Sequence, residues 1–245
     1  MMSFEMLKSG LTSSVQGDLH PSPLLRNDPL TAAAMPLPWS RAAVSGAVLR
    51  LVVHGRSGGE IPDCLVRFAD DLAKHRGGPV ELEALTAEPL PVVHGQRYWL
   101  MPLLLLPGSH VRTDVPLIRE RMRSQGAQVT LLPFLGAWPQ WWALLRRWIA
   151  ARELQGQSAV VVHHPLRPGL SARYLTMLSA QLDCTLVSAD TWGEHLRQHP
   201  SACPLPLALA PNRMAETLRQ AGGLPSLLDD PQLRSGLITL LSVLS

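Results

Sequence analysis

The sequence predicts an α/β protein of two lobes, each a parallel sheet flanked by helices, with the second lobe a shortened version of the first. Three observations predict it. Short β-branched runs alternate with stretches of helical periodicity. A strand that ends in a Gly- or Pro-rich loop before a helix occurs twice, and leucine and proline strings of the first half recur in the same order in the second. Strands that alternate with helices call for crossover connections, and these place parallel strands between helical layers.

Composition sets the bounds. Of 245 residues, 46% are hydrophobic and 17% charged, which excludes a disordered chain and leaves enough apolar surface for a real core. At roughly 150 residues per domain the length gives between one and two domains. The net charge of +3 suits an anionic small molecule and falls far short of the basic stripe of a nucleic-acid binder. The longest apolar run, Trp99 to Leu106, is broken by Pro102 and is much shorter than the roughly 20 residues a membrane span needs. Cys64, Cys184 and Cys203 form no CxxC pair, and no apolar segment after Lys8 reads as a secretory signal. A cytoplasmic protein with neither nucleic-acid nor membrane partners is expected.

Residues 1–46 hold Pro21, Pro23, Pro29, Pro36 and Pro38 with no sustained period, and are expected to form an irregular extension. The first lobe is expected over 47–152. Its first strand is Val48 to Val53, ending at His54-Gly55-Arg56-Ser57-Gly58-Gly59, with a helix through Leu65, Phe68, Ala69 and Leu72. Further strands are expected at Val80 to Leu85, Tyr98 to Leu106 and Gln128 to Pro133. After Pro107-Gly108-Ser109-His110, Val115, Ile118 and Met122 share one helix face. Thr113 and Asp114 suit its start, and Pro116 is tolerated in its first turn. Trp141, Leu144, Leu145 and Trp148 mark the helix that closes the unit.

The second lobe is expected over 153–245. Ser158 to His163 repeats the opening strand, followed by a helix through Tyr174, Leu178 and Leu182. Leu205 to Pro211 echoes Leu103 to Pro107, and Leu224 to Gln232 echoes Leu132 to Gln140 in register. On this reading His163 mirrors His54, while Met214 stands where His110 would repeat.

In an open α/β unit, ligands bind beyond the carboxyl ends of the strands. His54 ends the first strand and His110 follows the third, so both are candidates for one cleft. Imidazole binds divalent metals and exchanges protons near neutral pH, which suits a facing pair to metal handling or base catalysis.

His54-Gly55-Arg56-Ser57, together with Met101 to Pro116 containing Gly108, His110, Asp114, Val115 and Pro116, resembles the sirohydrochlorin chelatase family of class II chelatases. That family carries a strand-ending HGS-type loop and then G-x-H-x-x-x-D-I-P. Thr86-Ala87-Glu88-Pro89 resembles the family's segment after its second strand. The resemblance implies two ferrochelatase-like lobes around a tetrapyrrole cleft. It implies a divalent metal, cobalt or iron, as substrate and no organic cofactor. His54 and His110 would hold the metal and act catalytically by taking the pyrrole protons, while Arg56, Ser57, Gly58, Ser109 and Arg112 would bind the carboxylated substrate. This sequence departs from the family in three respects. Arg56 and Ser57 stand in swapped order, the family's second-strand acidic residue falls on Leu85 with Glu83 and Glu88 nearby, and the helix before the third strand shrinks to Leu90–Arg97. The missing second-strand carboxylate, together with the eroded second lobe, keeps open a chelatase-like protein that binds a tetrapyrrole or metal without turnover.

Gly55-Arg56-Ser57-Gly58-Gly59 also satisfies G-x-S-x-G, the nucleophile elbow of serine hydrolases. Ser57 would then be the nucleophile, with Asp114 or Asp183 and His195 or His199 as partners. The elbow's strand should have several strands before it, whereas here it is the first.

Overall fold

Val48–Val53 forms β1, and all six of its residues are buried, as a strand covered on both faces must be. It lies at the centre of a parallel sheet with β2 (Val80–Ala84) on one side and β3 (Arg97–Pro102) on the other. β4 (Gln128–Leu131) extends the sheet beyond β3, giving the order β2-β1-β3-β4. The computed structural model describes residues 46–153, 158–166 and 170–244, so the expected extension lies outside the described residues except for Gly46.

Among the described residues of this half, the α-helices are α1 (Asp63–Arg76), α2 (Val115–Ser124) and α3 (Pro139–Glu153). The expected core positions Leu65, Phe68, Ala69 and Leu72 are buried on α1, and Val115, Ile118 and Met122 on α2. The last three pack with Val48, Val52, Tyr98 and Leu100 from one face of the sheet.

Two expectations fail here for reasons of backbone chemistry. No helix forms over Leu90–Arg97. Pro91 removes an N–H and biases Leu90 toward extended backbone, and the segment instead makes a turn at His94–Gly95. β3 stops at Pro102 rather than Leu106. Leu103 N–H still reaches the Val52 carbonyl at 2.8 Å, but the Leu104 carbonyl accepts from Gly136 N–H at 2.9 Å, outside the sheet. Leu103 and Leu105 are buried as loop residues, so the apolar run reflects burial and not strand.

Arg50 is a further departure from an apolar strand. It lies fully buried in β1, bonded to Glu81 at 2.6 Å and Glu83 at 3.1 Å, while Arg121 of α2 reaches the other oxygen of Glu83 at 2.6 Å. Arg50 also donates to the Pro91 carbonyl at 2.8 Å and lies 4.7 Å from the Tyr98 ring centroid. The network ties the irregular 85–96 segment down where a helix was expected.

The second sheet is smaller, with β5 (Ala159–His163) between β6 (Leu186–Ser188) and β7 (Cys203–Pro206), all parallel. Four helices accompany it: α4 (Leu170–Leu182), α5 (Trp192–Gln198), α6 (Arg213–Gln220) and α7 (Pro231–Ser242). The repeat read from the sequence is visible in the hydrogen bonds. Leu132 N–H donates to Leu100 O at 2.9 Å, and Leu224 N–H to Pro204 O at 2.8 Å. A single 3-10 turn follows in each half, Leu135–Ala137 and Leu227–Asp229, and then a helix that opens on proline.

A cut between residues 152 and 153 separates the two sheets but not their helices. α3 packs on α4 and β5, whereas α7 packs back on α1 and α3. Gly236 permits that last contact, because a Cβ there would lie 2.5 Å from the Leu144 side chain. The Tyr174 hydroxyl of α4 completes the junction, 2.8 Å from Leu105 O and 2.7 Å from Gly136 O. Burial pushes its phenol pKa up.

Candidate metal centre

His54 is the first residue past the carboxyl end of β1, and the loop after it folds over the end of β2. Gly55 has φ of +76°, and a Cβ on it would meet Thr86 Oγ1 at 2.5 Å and Ala84 Cβ at 2.8 Å. Only glycine fits so close to its neighbours in this left-handed conformation. Thr86 Oγ1 lies 2.7 Å from the Arg56 carbonyl and 3.3 Å from that of His54, so the Thr86–Pro89 segment fixes the position of the loop.

His110 arrives by another route. Residues His110–Asp114 wind as a π-helical turn in which Val115 N–H donates to His110 O, and α2 continues from it. Pro116 supplies a cause: its ring disfavours α-winding against the Arg112 carbonyl four residues earlier, and the wider turn relieves the clash. The winding thus begins before the expected start at Thr113 and Asp114, and the Asp114 side chain does not cap it. Asp114 Oδ2 lies instead 2.5 Å from His110 Nδ1.

The two imidazoles, 56 residues apart in sequence, meet edge to face with ring centroids 4.9 Å apart and planes at 83°. Their tautomers follow from their partners. His54 Nδ1 is 2.7 Å from the Gly55 carbonyl, which can only accept, so Nδ1 carries the proton. Asp114 imposes the same state on His110. Each ring therefore keeps an Nε2 lone pair for a cation. Among the described residues, no cluster of three or more His, Cys, Asp or Glu side chains could hold a metal ion. The pair provides two nitrogens.

The other expected site residues are distributed less evenly. Arg56 is half-buried and shared between Glu60 at 3.3 Å and Glu216 of α6 at 3.1 Å, so it bridges the two halves of the chain. Ser57 and Gly58 are exposed in a 3-10 turn, Ser57–Gly59. Ser109 and Arg112 are exposed beside His110, and Arg112 makes no side-chain ion pair among the described residues. Leu85 packs against the apolar core, Glu83 is held by Arg50 and Arg121, and Glu88 is exposed. The elbow geometry of a hydrolase is not reproduced: α1 begins only at Asp63, and among the described residues no hydrogen bond joins Ser57 to a histidine.

The second half corrects one correspondence. Leu103 N–H donates to Val52 O and Leu207 N–H to Val162 O, while Leu85 N–H donates to Val53 O and Ala189 N–H to His163 O. By this register His163 matches Val53, and His164 is the counterpart of His54. The difference is physical: His163 is buried within the strand, whereas His164 stands beyond the strand end. Although His164 is exposed, desolvation first, and then the neighbouring charges of His54 and His163, lower its pKa. Met214 is buried on α6 and gives no second His110.

No family model and no curated relative matches the sequence. Solved structures do. CbiX, described as the terminal enzyme of sirohaem biosynthesis in denitrifying bacteria, aligns over 79% of this chain and 96% of its own, with 22% identity and a TM-score of 0.55. SirB from Bacillus subtilis with Fe3+ aligns over 81% of this chain and 96% of its own, at 14% identity and a TM-score of 0.59. The sirohydrochlorin chelatase SirB from Bacillus subtilis subspecies spizizenii in complex with cobalt gives 14% identity and a TM-score of 0.54, over 81% of this chain and 95% of its own. The chain has the sirohydrochlorin chelatase fold. The likeness spans nearly the whole length of those chelatases and agrees with the family resemblance of the His54 and His110 motifs.

Proposed function

We propose that the protein is a chelatase that inserts a divalent metal, cobalt or iron, into sirohydrochlorin or a related tetrapyrrole in the cytoplasm. The observation that carries this reading is the His54–His110 pair: two imidazoles in one tautomeric state, 4.9 Å apart at the carboxyl ends of the strands. The fold shared with CbiX and SirB supports it, as do the Fe3+ and cobalt named with the two SirB structures.

Insertion exchanges two pyrrole N–H protons for one dication. The Nε2 atoms of His54 and His110 bind the incoming ion, and with only two protein ligands its other positions stay open to the pyrrole nitrogens. As the ion passes to the macrocycle, the imidazoles become free to accept the released protons. Arg112, exposed beside His110, binds a substrate carboxylate, and Arg56 takes the same part once it exchanges Glu60 or Glu216 for the substrate. Ser57, Gly58 and Ser109 edge the same loops and contribute small polar contacts.

A second reading, tetrapyrrole or metal binding without turnover, is favoured by one observation. Glu83 is committed to Arg50 and Arg121, and Leu85, on which the family's acidic residue falls by the sequence resemblance, packs against the apolar core. One experiment separates the two. Purified protein mixed with sirohydrochlorin and Co2+ or Fe2+ should show the absorbance change of metal insertion, and His110→Ala should abolish it. Bound tetrapyrrole that is never metallated would establish the second reading. Failure of both binding and insertion would reject the two together.

A further inference from the structure

We propose that His195 and His199 form a separate metal site, a two-imidazole chelate on α5 for a divalent transition-metal ion. The backbone carries the first part of the argument. His199 N–H donates to the His195 carbonyl at 2.9 Å, so one helical turn spans the pair and both side chains leave the same face. Their ring centroids lie 4.6 Å apart with planes 39° from parallel.

That separation fits a shared ion. With metal–nitrogen bonds of about 2.0–2.1 Å, each ring centroid lies roughly 3.2 Å from the metal. Centroids at the observed distance then subtend an angle near 90° by that estimate, the angle between neighbouring octahedral positions. A turn of each ring brings one nitrogen onto the ion.

Nothing has to be displaced first. Among the described residues, no hydrogen bond or ion pair engages either imidazole. Glu194, the acidic neighbour, is held by Arg197 and by Gln198, the latter at 2.7 Å. His199 is exposed and His195 half-buried, so solvent reaches the pair. Water fills the remaining positions, and the ion exchanges readily. The pair lies on α5, which follows β6 of the second sheet, whereas His54 and His110 follow β1 and β3 of the first.

The helix also holds a reporter. Trp192 is buried with its ring centroid 5.6 Å from that of His195, close enough for a bound paramagnetic ion to quench its emission. The test is a Ni2+ titration of the full chain carrying His54→Ala and His110→Ala, followed by calorimetry and by tryptophan fluorescence. One Ni2+ should bind with quenching, and adding His195→Ala or His199→Ala should weaken binding at least ten-fold and remove the quenching. Because His199 is exposed, His199→Ala should keep the parent's melting temperature, so a loss of Ni2+ reads on the chelate. The proposal is overturned if the cleft double variant binds no Ni2+, or if binding and quenching survive replacement of His199.

Discussion

Asp114 Oδ2 lies 2.5 Å from His110 Nδ1, across a π-helical turn that Pro116 helps to widen. The carboxylate orients the ring and holds the proton on Nδ1, which leaves the Nε2 lone pair facing outward for a metal ion. Asp114→Ala should therefore lower Co2+ affinity at the His54–His110 pair, or the rate of insertion, by about 10–100-fold. Asp114→Asn, whose amide oxygen still accepts from Nδ1–H without the charge, should lose less. Calorimetry with Co2+ and the insertion assay measure both variants. Equal behaviour of Asp114→Ala and the parent would remove Asp114 from the centre.

Glu83 offers a different test, because it is buried and both its oxygens are engaged, one by Arg50 and the other by Arg121. Glu83→Ala leaves a fully buried guanidinium with only Glu81 and a carbonyl, and should cost about 3 kcal/mol of folding stability, the lower end for breaking a buried pair. Urea denaturation reads the loss directly. Below the unfolding transition the insertion rate should stay near that of the parent. A large loss of rate in a still-folded Glu83→Ala protein would show that this carboxylate serves the metal after all.

The parts legible in the sequence were those where one physical demand dominates. Val48 to Val53 could only be a strand buried on two faces, and its bounds are those expected. The leucine and proline echo between 132–140 and 224–232 marks real equivalences, because both prolines that open α3 and α7 follow the same 3-10 turn. Burial without strand pairing was not legible: Leu103 to Leu106 looks like sheet and is loop. Nor was the ion network, although Arg50 pairs in register with Glu81 and Val52 with Glu83, a two-residue period that carries charge inward. The His163–His54 correspondence was off by one because adjacent histidines differ only in which of them remains in the ladder.

His164 should make stability depend on pH. Its folded pKa is lowered, so as pH falls below the unfolded value of about 6.5 the unfolded chain takes up the proton first. Stability from this residue is fully present above that pH and is lost as pH falls toward the folded value. His164→Asn should flatten the curve of urea midpoint against pH below about 6.5, with little change at higher pH. Parallel curves for parent and variant would refute the coupling of His164 to His54 and His163.

Gly55 and Gly58 share one loop and nearly one backbone conformation, with φ of +76° and +81°, yet they should tolerate alanine very differently. At Gly58 nothing lies within 4 Å of the place an alanine methyl would take, so Gly58→Ala bears backbone strain alone, of order 1 kcal/mol. At Gly55 the same strain is joined by overlap with Thr86 Oγ1 and Ala84 Cβ. Relief would push Thr86 away from the His54 and Arg56 carbonyls that it holds. Gly55→Ala should thus cost about 2–3 kcal/mol, at the upper end for such backbone strain. It should also slow metal insertion by displacing the His54 imidazole, while Gly58→Ala leaves the His54–His110 approach intact. Thermal melts and Co2+ titrations of the two variants side by side test this. Equal losses from both substitutions would mean that strain, and not the seat on Thr86, is what Gly55 provides.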